Sequence, residues 1–174
     1  MAVVAEDLRL AELRHLGASE PLVRLASGDC VHEMFRDACL GPPYYVYHSA
    51  GTPDGPPLVP LWDYSDTVVG VWKREDGPEF IDFDIENHDE YSSLARTEQG
   101  FWLTQFDFFY EADVPLEELR EAAAAVGFRF LDHYLMSREA ADQRLATFEG
   151  HHRWLLELVA GIDRECGPRQ LSHQ

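Results

Sequence analysis

Apolar positions recur at helical spacing near the N-terminus, alternate with a period of two in the middle, and return to helical spacing towards the C-terminus. Leu8, Ala11 and Leu16, widened by Leu10 and Leu13, make one helical stripe that Gly17 is placed to end. Ser19-Glu20-Pro21 is a start signal, because serine caps free N–H groups and proline fits the first turn. Asp29 offers another cap ahead of Val31, Met34, Phe35 and Ala38, and Gly41-Pro42-Pro43 stops that run. Two or three short helices are predicted.

Tyr44 to His48 reads as a β-rich run, followed by turn formers from Ser49 to Pro57. Leu58–Trp62, Thr67–Trp72 and Glu79–Ile85 are three further strands, the last two joined by the hairpin turn Glu75-Asp76-Gly77-Pro78. In the last of these, Ile81, Phe83 and Ile85 alternate with Asp82, Asp84 and Glu86. Successive strand side chains point to opposite faces, so the apolar set is expected in the core and the acidic set as a row facing outward.

Thr97-Glu98-Gln99 opens a helix over Gly100–Tyr110 with an aromatic surface of Phe101, Trp102, Phe108 and Phe109 around Gln105. Pro115 begins a helix that carries Leu116, Leu119, Ala123 and Val126 on one side and ends at Gly127. Phe128–Tyr134 reads as a short strand. Ser137 is the predicted cap of the closing helices, where Ala141, Leu145, Phe148, Leu155, Val159 and Ile162 sustain one face. The expectation is therefore an α+β fold with N-terminal helices, a central mainly antiparallel sheet of about five to six strands, and C-terminal helices packed on it. Residues 1–166 make one domain and 167–174 a loose tail.

Charge changes this picture most. Residues 49–118 hold 17 acidic side chains against Lys73, Arg74 and Arg96, a balance of −14 within a total of −18. This acidic segment is also the strand-rich one, with Trp62, Tyr64, Trp72, Phe80 and Phe83 among the carboxylates. Charge of one sign attracts an opposite partner and repels a like one. Nucleic acid and anionic membrane are thus poor partners, and a basic protein or a metal cation is a good one. With 45% apolar residues and 21 aromatic ones the chain is not disordered, and no apolar run reaches the roughly 20 residues that cross a bilayer. Met1–Arg9 does not read as a signal peptide. Three cysteines without a CxxC pair fit a reduced, cytoplasmic protein.

Catalytic motifs are sparse. There is no Gly-x-Ser-x-Gly elbow, no phosphate-binding Gly-x-x-x-x-Gly-Lys, and no cysteine in a catalytic context. His151 and His152 are adjacent and, on a helix, point about 100° apart, so they cannot both face one ion. The acidic row Asp82/Asp84/Glu86 is the one catalytic alternative, as oxygen ligands for Mg²⁺ or Ca²⁺ in a metal-dependent hydrolase. Same-face strand residues lie roughly 7 Å apart, so Asp63, Asp66 or the loops would have to complete such a site. Trp62, Trp72, Trp102 and Phe108 are expected in the core. Tyr64 and Phe80 are the aromatics expected on the acidic face as interface anchors.

Leu58-Val59-Pro60-Leu61-Trp62, the strand Asp66–Trp72, the run Phe80–Glu86 and the stretch Leu94–Phe101 together resemble the SMI1/KNR4-like group, the SUKH superfamily, over residues 44–110. Upstream, Met34–Pro43 departs from the group's usual apolar-Pro turn and Asn-Gly helix end. The resemblance implies a non-enzymatic α+β domain, often an immunity protein that binds and neutralises a cognate toxin, and it carries over no catalytic residue. Eukaryotic relatives act as regulatory interaction proteins, so a regulatory scaffold without a toxin partner is the other alternative. No catalytic residue, metal ligand or cofactor is assigned. The expected partner is a basic protein, and its candidate binding residues are Asp63, Tyr64, Asp66, Phe80, Asp82, Asp84 and Glu86.

Overall fold

Four strands carry the alternating segment: β1 (Leu58–Tyr64), β2 (Thr67–Arg74), β3 (Gly77–Asp84) and β4 (Ser92–Ala95). They pair antiparallel in the order β1-β2-β3-β4. The computed structural model describes residues 3–48, 51–141 and 143–167. Ser49, Ala50 and the tail 168–174 lie outside them. Among the described residues the fold is α+β, with seven α-helices and this one sheet. Pairing of Arg74 with Gly77 leaves Glu75-Asp76 as a two-residue hairpin turn, where Gly77 takes φ +122°, a conformation open to glycine and costly for L side chains. Pro60 has no N–H to donate and sits where an edge strand tolerates it, beside a bulge that sets Trp62 opposite Val69.

Helices cover one face of the sheet. These are α1 (Arg9–His15), α2 (Glu20–Ala26), α4 (Glu98–Glu111) and α7 (Phe148–Cys166), with α5 (Leu116–Val126) and α6 (Leu131–Ala140) packed outside them. Val59, Trp62, Val69, Val71 and Phe80 meet them in the main core, and Phe80 stacks on Phe101 of α4 at 4.6 Å and 14°. Asp163 of α7 fastens the entry to α4. Its carboxylate accepts from Arg96 N at 2.8 Å, Thr97 N at 2.9 Å and Thr97 Oγ1 at 2.6 Å. The opposite face buries a smaller cluster of Leu58, Val68, Trp72, Ile81 and Phe83 under Val46 of the short helix α3 (Tyr45–His48).

The expected cap at Ser19 is present, accepting from Leu22 N, and Thr97, at the expected helix start, caps α4 by accepting from Gly100 N. Gly127 ends α5 with φ +70°. Phe128 N bonds Ala123 O at 2.8 Å and Gly127 N bonds Ala124 O at 3.3 Å, the paired reversal of a Schellman motif.

Several expectations are corrected. Among the described residues the sheet has four strands, fewer than five to six. Tyr44–His48 is not a strand, because the Asp63 carboxylate collects the N–H groups of Tyr44 and Tyr45 and starts the α3 turn there. Phe128–Tyr134 is not one either: the chain leaves the α5 cap and re-enters a helix at Leu131, while Phe128 stacks on Phe106 at 4.9 Å. Burial against a helix overrides the β-propensity of Phe-Arg-Phe. After Asp29 only a 3-10 turn forms, Glu33–Phe35, capped by His32. Ser137 lies inside α6, where its hydroxyl accepts from Trp154 Nε1, and Thr147 caps α7 instead.

Candidate functional site

The turn end of the sheet gathers most of the candidate residues. Tyr64 closes β1, Ser65 takes φ 51° in the two-residue turn, and Asp66 follows at its tip. Asp66 O accepts from Ile85 N at 2.9 Å, which holds the start of the β3–β4 loop beside this turn. Asp66, Asp84 and Glu86 therefore share one exposed edge. The Asp84 carboxylate also accepts from Glu86 N at 2.7 Å and Asn87 N at 3.2 Å, so it shapes the loop as well as charging it.

Aromatic side chains flank this edge. Tyr64 is 39% exposed and Phe108 of α4 is 45% exposed, and their rings meet edge to face at 5.8 Å and 71°. Between them and β3 opens a cleft of about 280 Å³ lined by Ala38, Thr67, Val69, Leu94, Thr104 and Gln105. Asp82 is the carboxylate in that lining. It is half-buried, on the same face as Phe80, and burial raises its pKa while hydrogen bonds from Ser92 oppose the rise.

The cations of the acidic segment are engaged elsewhere. Lys73 Nζ pairs with Glu12 at 2.5 Å, Arg74 with Glu79, and Arg96 with Asp76 at 2.8 Å. Glu79 is buried at 6% exposure on the far half of β3, where Ser93 Oγ also donates to it. Among the described residues no ion pair neutralises Asp66, Asp82, Asp84 or Glu86, so this edge keeps its negative charge.

Two candidates fall away from the site. Phe80 is a core residue under α4 and anchors no surface. Asp63 points to the other face, where one carboxylate oxygen caps α3 and the other is buried without a hydrogen-bond partner. The acidic residues do not form one solvated row either. Both faces of β3 are covered: Ile81 and Phe83 fill the smaller cluster, Ile85 packs against its rim, and Asp82 shares the helical face with Phe80. Phe108, expected in the core, is instead part of the site. Its signal is the row Phe101–Gln105–Phe108 along α4, in which the apolar stripe is broken by a polar residue that lines the cleft with Phe108.

A second polar cluster joins the helices. Asp107 Oδ1, buried in α4, accepts from Tyr134 OH at 2.9 Å, Arg138 Nη1 at 3.0 Å and His151 Nε2 at 3.1 Å. Burial, then the Asp107 charge, pushes the Tyr134 phenol far above its ordinary range. Arg138 also pairs with Glu111 and lies over the Tyr110 ring at 4.5 Å. These groups satisfy one another and tie α4 to α6 and α7. The broad hollow beside them, about 1400 Å³, has its cations paired as well, Arg120 with Asp132 and Arg138 with Asp107. It is larger than the Tyr64–Phe108 cleft, but the cleft is the one that sets a half-buried carboxylate, Asp82, beside two exposed aromatic rings.

Asp82→Asn should raise thermal stability at pH 7. Because burial raises the native pKa of Asp82, the native state holds its proton more tightly than the unfolded chain. Stability is then lost as pH rises from the ordinary aspartate value of about 3.9 through the raised one, and Asn removes that loss. Melting curves should show a gain at pH 7 that closes near pH 3. A variant less stable than wild type at pH 7 would mean that Asp82 is held by favourable contacts.

Among the described residues no three His, Cys, Asp or Glu side chains form a group that could hold a metal ion, and no helix is long and apolar enough to cross a membrane. No family model, curated protein or solved structure matches the chain.

Proposed function

We propose that this chain is a non-enzymatic protein-binding module of the immunity type, which holds a basic partner protein, such as a toxin domain, on the turn end of its sheet. The observation that carries this reading is the pairing of uncompensated carboxylates (Asp66, Asp84, Glu86) with exposed rings (Tyr64, Phe108) on one edge, while the cations of the same segment are engaged elsewhere. Aromatic anchors supply buried area at an interface, and a field of one sign speeds encounter with a partner of the other. The likeness of residues 44–110 to SMI1/KNR4-like domains points the same way and adds the immunity role. A cytoplasmic location fits a chain whose three cysteines are free.

The test is affinity capture from the native organism on immobilised wild type and on the triple variant Asp66→Asn, Asp84→Asn, Glu86→Gln. Asparagine at 84 keeps an oxygen for the loop amides, so the fold is retained. The expected result is a basic protein held by wild type at physiological salt and lost from the variant. Equal capture of the same protein by both would remove this edge from the function.

A further inference from the structure

We infer that the cleft between Tyr64, Phe108 and Asp82 is a receptor for one arginine side chain of the partner. This rests on the protein-binding reading and specifies its central contact. The cleft's volume of about 280 Å³ lies just below the roughly 300–1,000 Å³ of pockets that enclose drug-sized ligands, which suits one side chain better than a cofactor. Its walls are mostly apolar: Ala38, Val69 and Leu94 can receive an aliphatic stem. The rings of Tyr64 and Phe108 stand beside it, and such faces attract a cation. Asp82 supplies the charge.

Complementarity singles out the occupant. A half-buried carboxylate without an ion-pair partner favours an incoming cation, and Asp66 and Asp84 close by keep the approach negative. The cations of the acidic segment do not fill this role, since Lys73, Arg74 and Arg96 are held by Glu12, Glu79 and Asp76. A guanidinium fits better than an ammonium. It is planar, weakly hydrated, stacks on aromatic rings and presents paired donors to one carboxylate. Asp82 is then a residue whose burial destabilises the free protein and is compensated in the complex.

The probe is the blocked tripeptide acetyl-Gly-Arg-Gly-amide, titrated into the full chain and followed by NMR of the Tyr64 and Phe108 ring signals and the Asp82 carboxyl carbon. Saturable shifts of all three are expected, with dissociation on the order of millimolar. The citrulline peptide, neutral and nearly isosteric, should leave them unmoved, and the lysine peptide should bind more weakly. Asp82→Asn should weaken arginine binding about tenfold, and Tyr64→Ala should weaken it with Asp82 intact. Equal responses to arginine and citrulline, shifts confined to other residues, or unchanged affinity in Asp82→Asn would overturn the assignment. A basic partner lost from the triple variant alongside no response to the arginine peptide would remove the cleft and leave the protein-binding reading standing.

Discussion

Replacing Asp107 by alanine should cost about 3–5 kcal/mol of unfolding free energy, the range for leaving a buried charge without its partner. One oxygen of this carboxylate serves Tyr134, Arg138 and His151, which come from two different helices. Alanine leaves a buried hydroxyl and a mostly buried guanidinium facing an apolar gap. Arg138 keeps Glu111, which is half exposed and so a weaker partner, and this places the loss towards the lower end. Asp107→Asn retains an acceptor and should lose less. Urea unfolding of both variants decides it: a loss below about 1 kcal/mol for alanine would show that the cluster contributes little to joining α4 with α6 and α7.

Phe83→Ala should also lose about 3–5 kcal/mol, although Phe83 lies outside the main core. It is buried on the second face with Val68, Trp72, Ile81 and Leu58 under Val46, and among the described residues no helix longer than α3 packs in this cluster. The cost therefore measures how firmly that thin layer closes the sheet. Chemical denaturation gives the value, and a loss near that of an exposed substitution, within about 0.5 kcal/mol, would mean the layer is open in solution.

The alternation from Ile81 to Asp84 made strand β3 readable, and the cap signals at Ser19, Thr97 and Gly127 placed the ends of α2, α4 and α5. A period of two says which residues share a face but not whether the other face is covered. That is why Asp82 reads as solvated and proves half-buried beneath α4, and why Phe80 reads as a possible anchor and lies in the core. Tyr44–His48 and Phe128–Tyr134 mislead for a related reason. Their aromatic and β-branched residues match a strand's composition, and the geometry is set by the remote Asp63 carboxylate in one case and by the Gly127 cap in the other. Arg9 has no sequence signal at all. Its guanidinium is buried and donates to Ala26 O at 2.8 Å and to Pro60 O and Leu61 O at 3.2 Å, joining α1, α2 and the β1 bulge, and burial lowers its pKa. The exposed edge at Asp66, Asp84 and Glu86 was legible because charge balance survives folding: the three cations nearby in sequence fold onto other acids.

The central claim is that this edge recruits a basic protein by charge. The direct measurement is the association rate of the captured partner across a NaCl series, with wild type and the Asp66→Asn, Asp84→Asn, Glu86→Gln variant. Screening shortens the Debye length from about 30 Å at 0.01 M to about 8 Å at physiological ionic strength. The wild-type association rate should therefore fall steeply with salt while dissociation changes little, and the variant should associate slowly with a shallow salt dependence. Association that is equally fast in low and high salt, and equal in wild type and variant, would contradict the account.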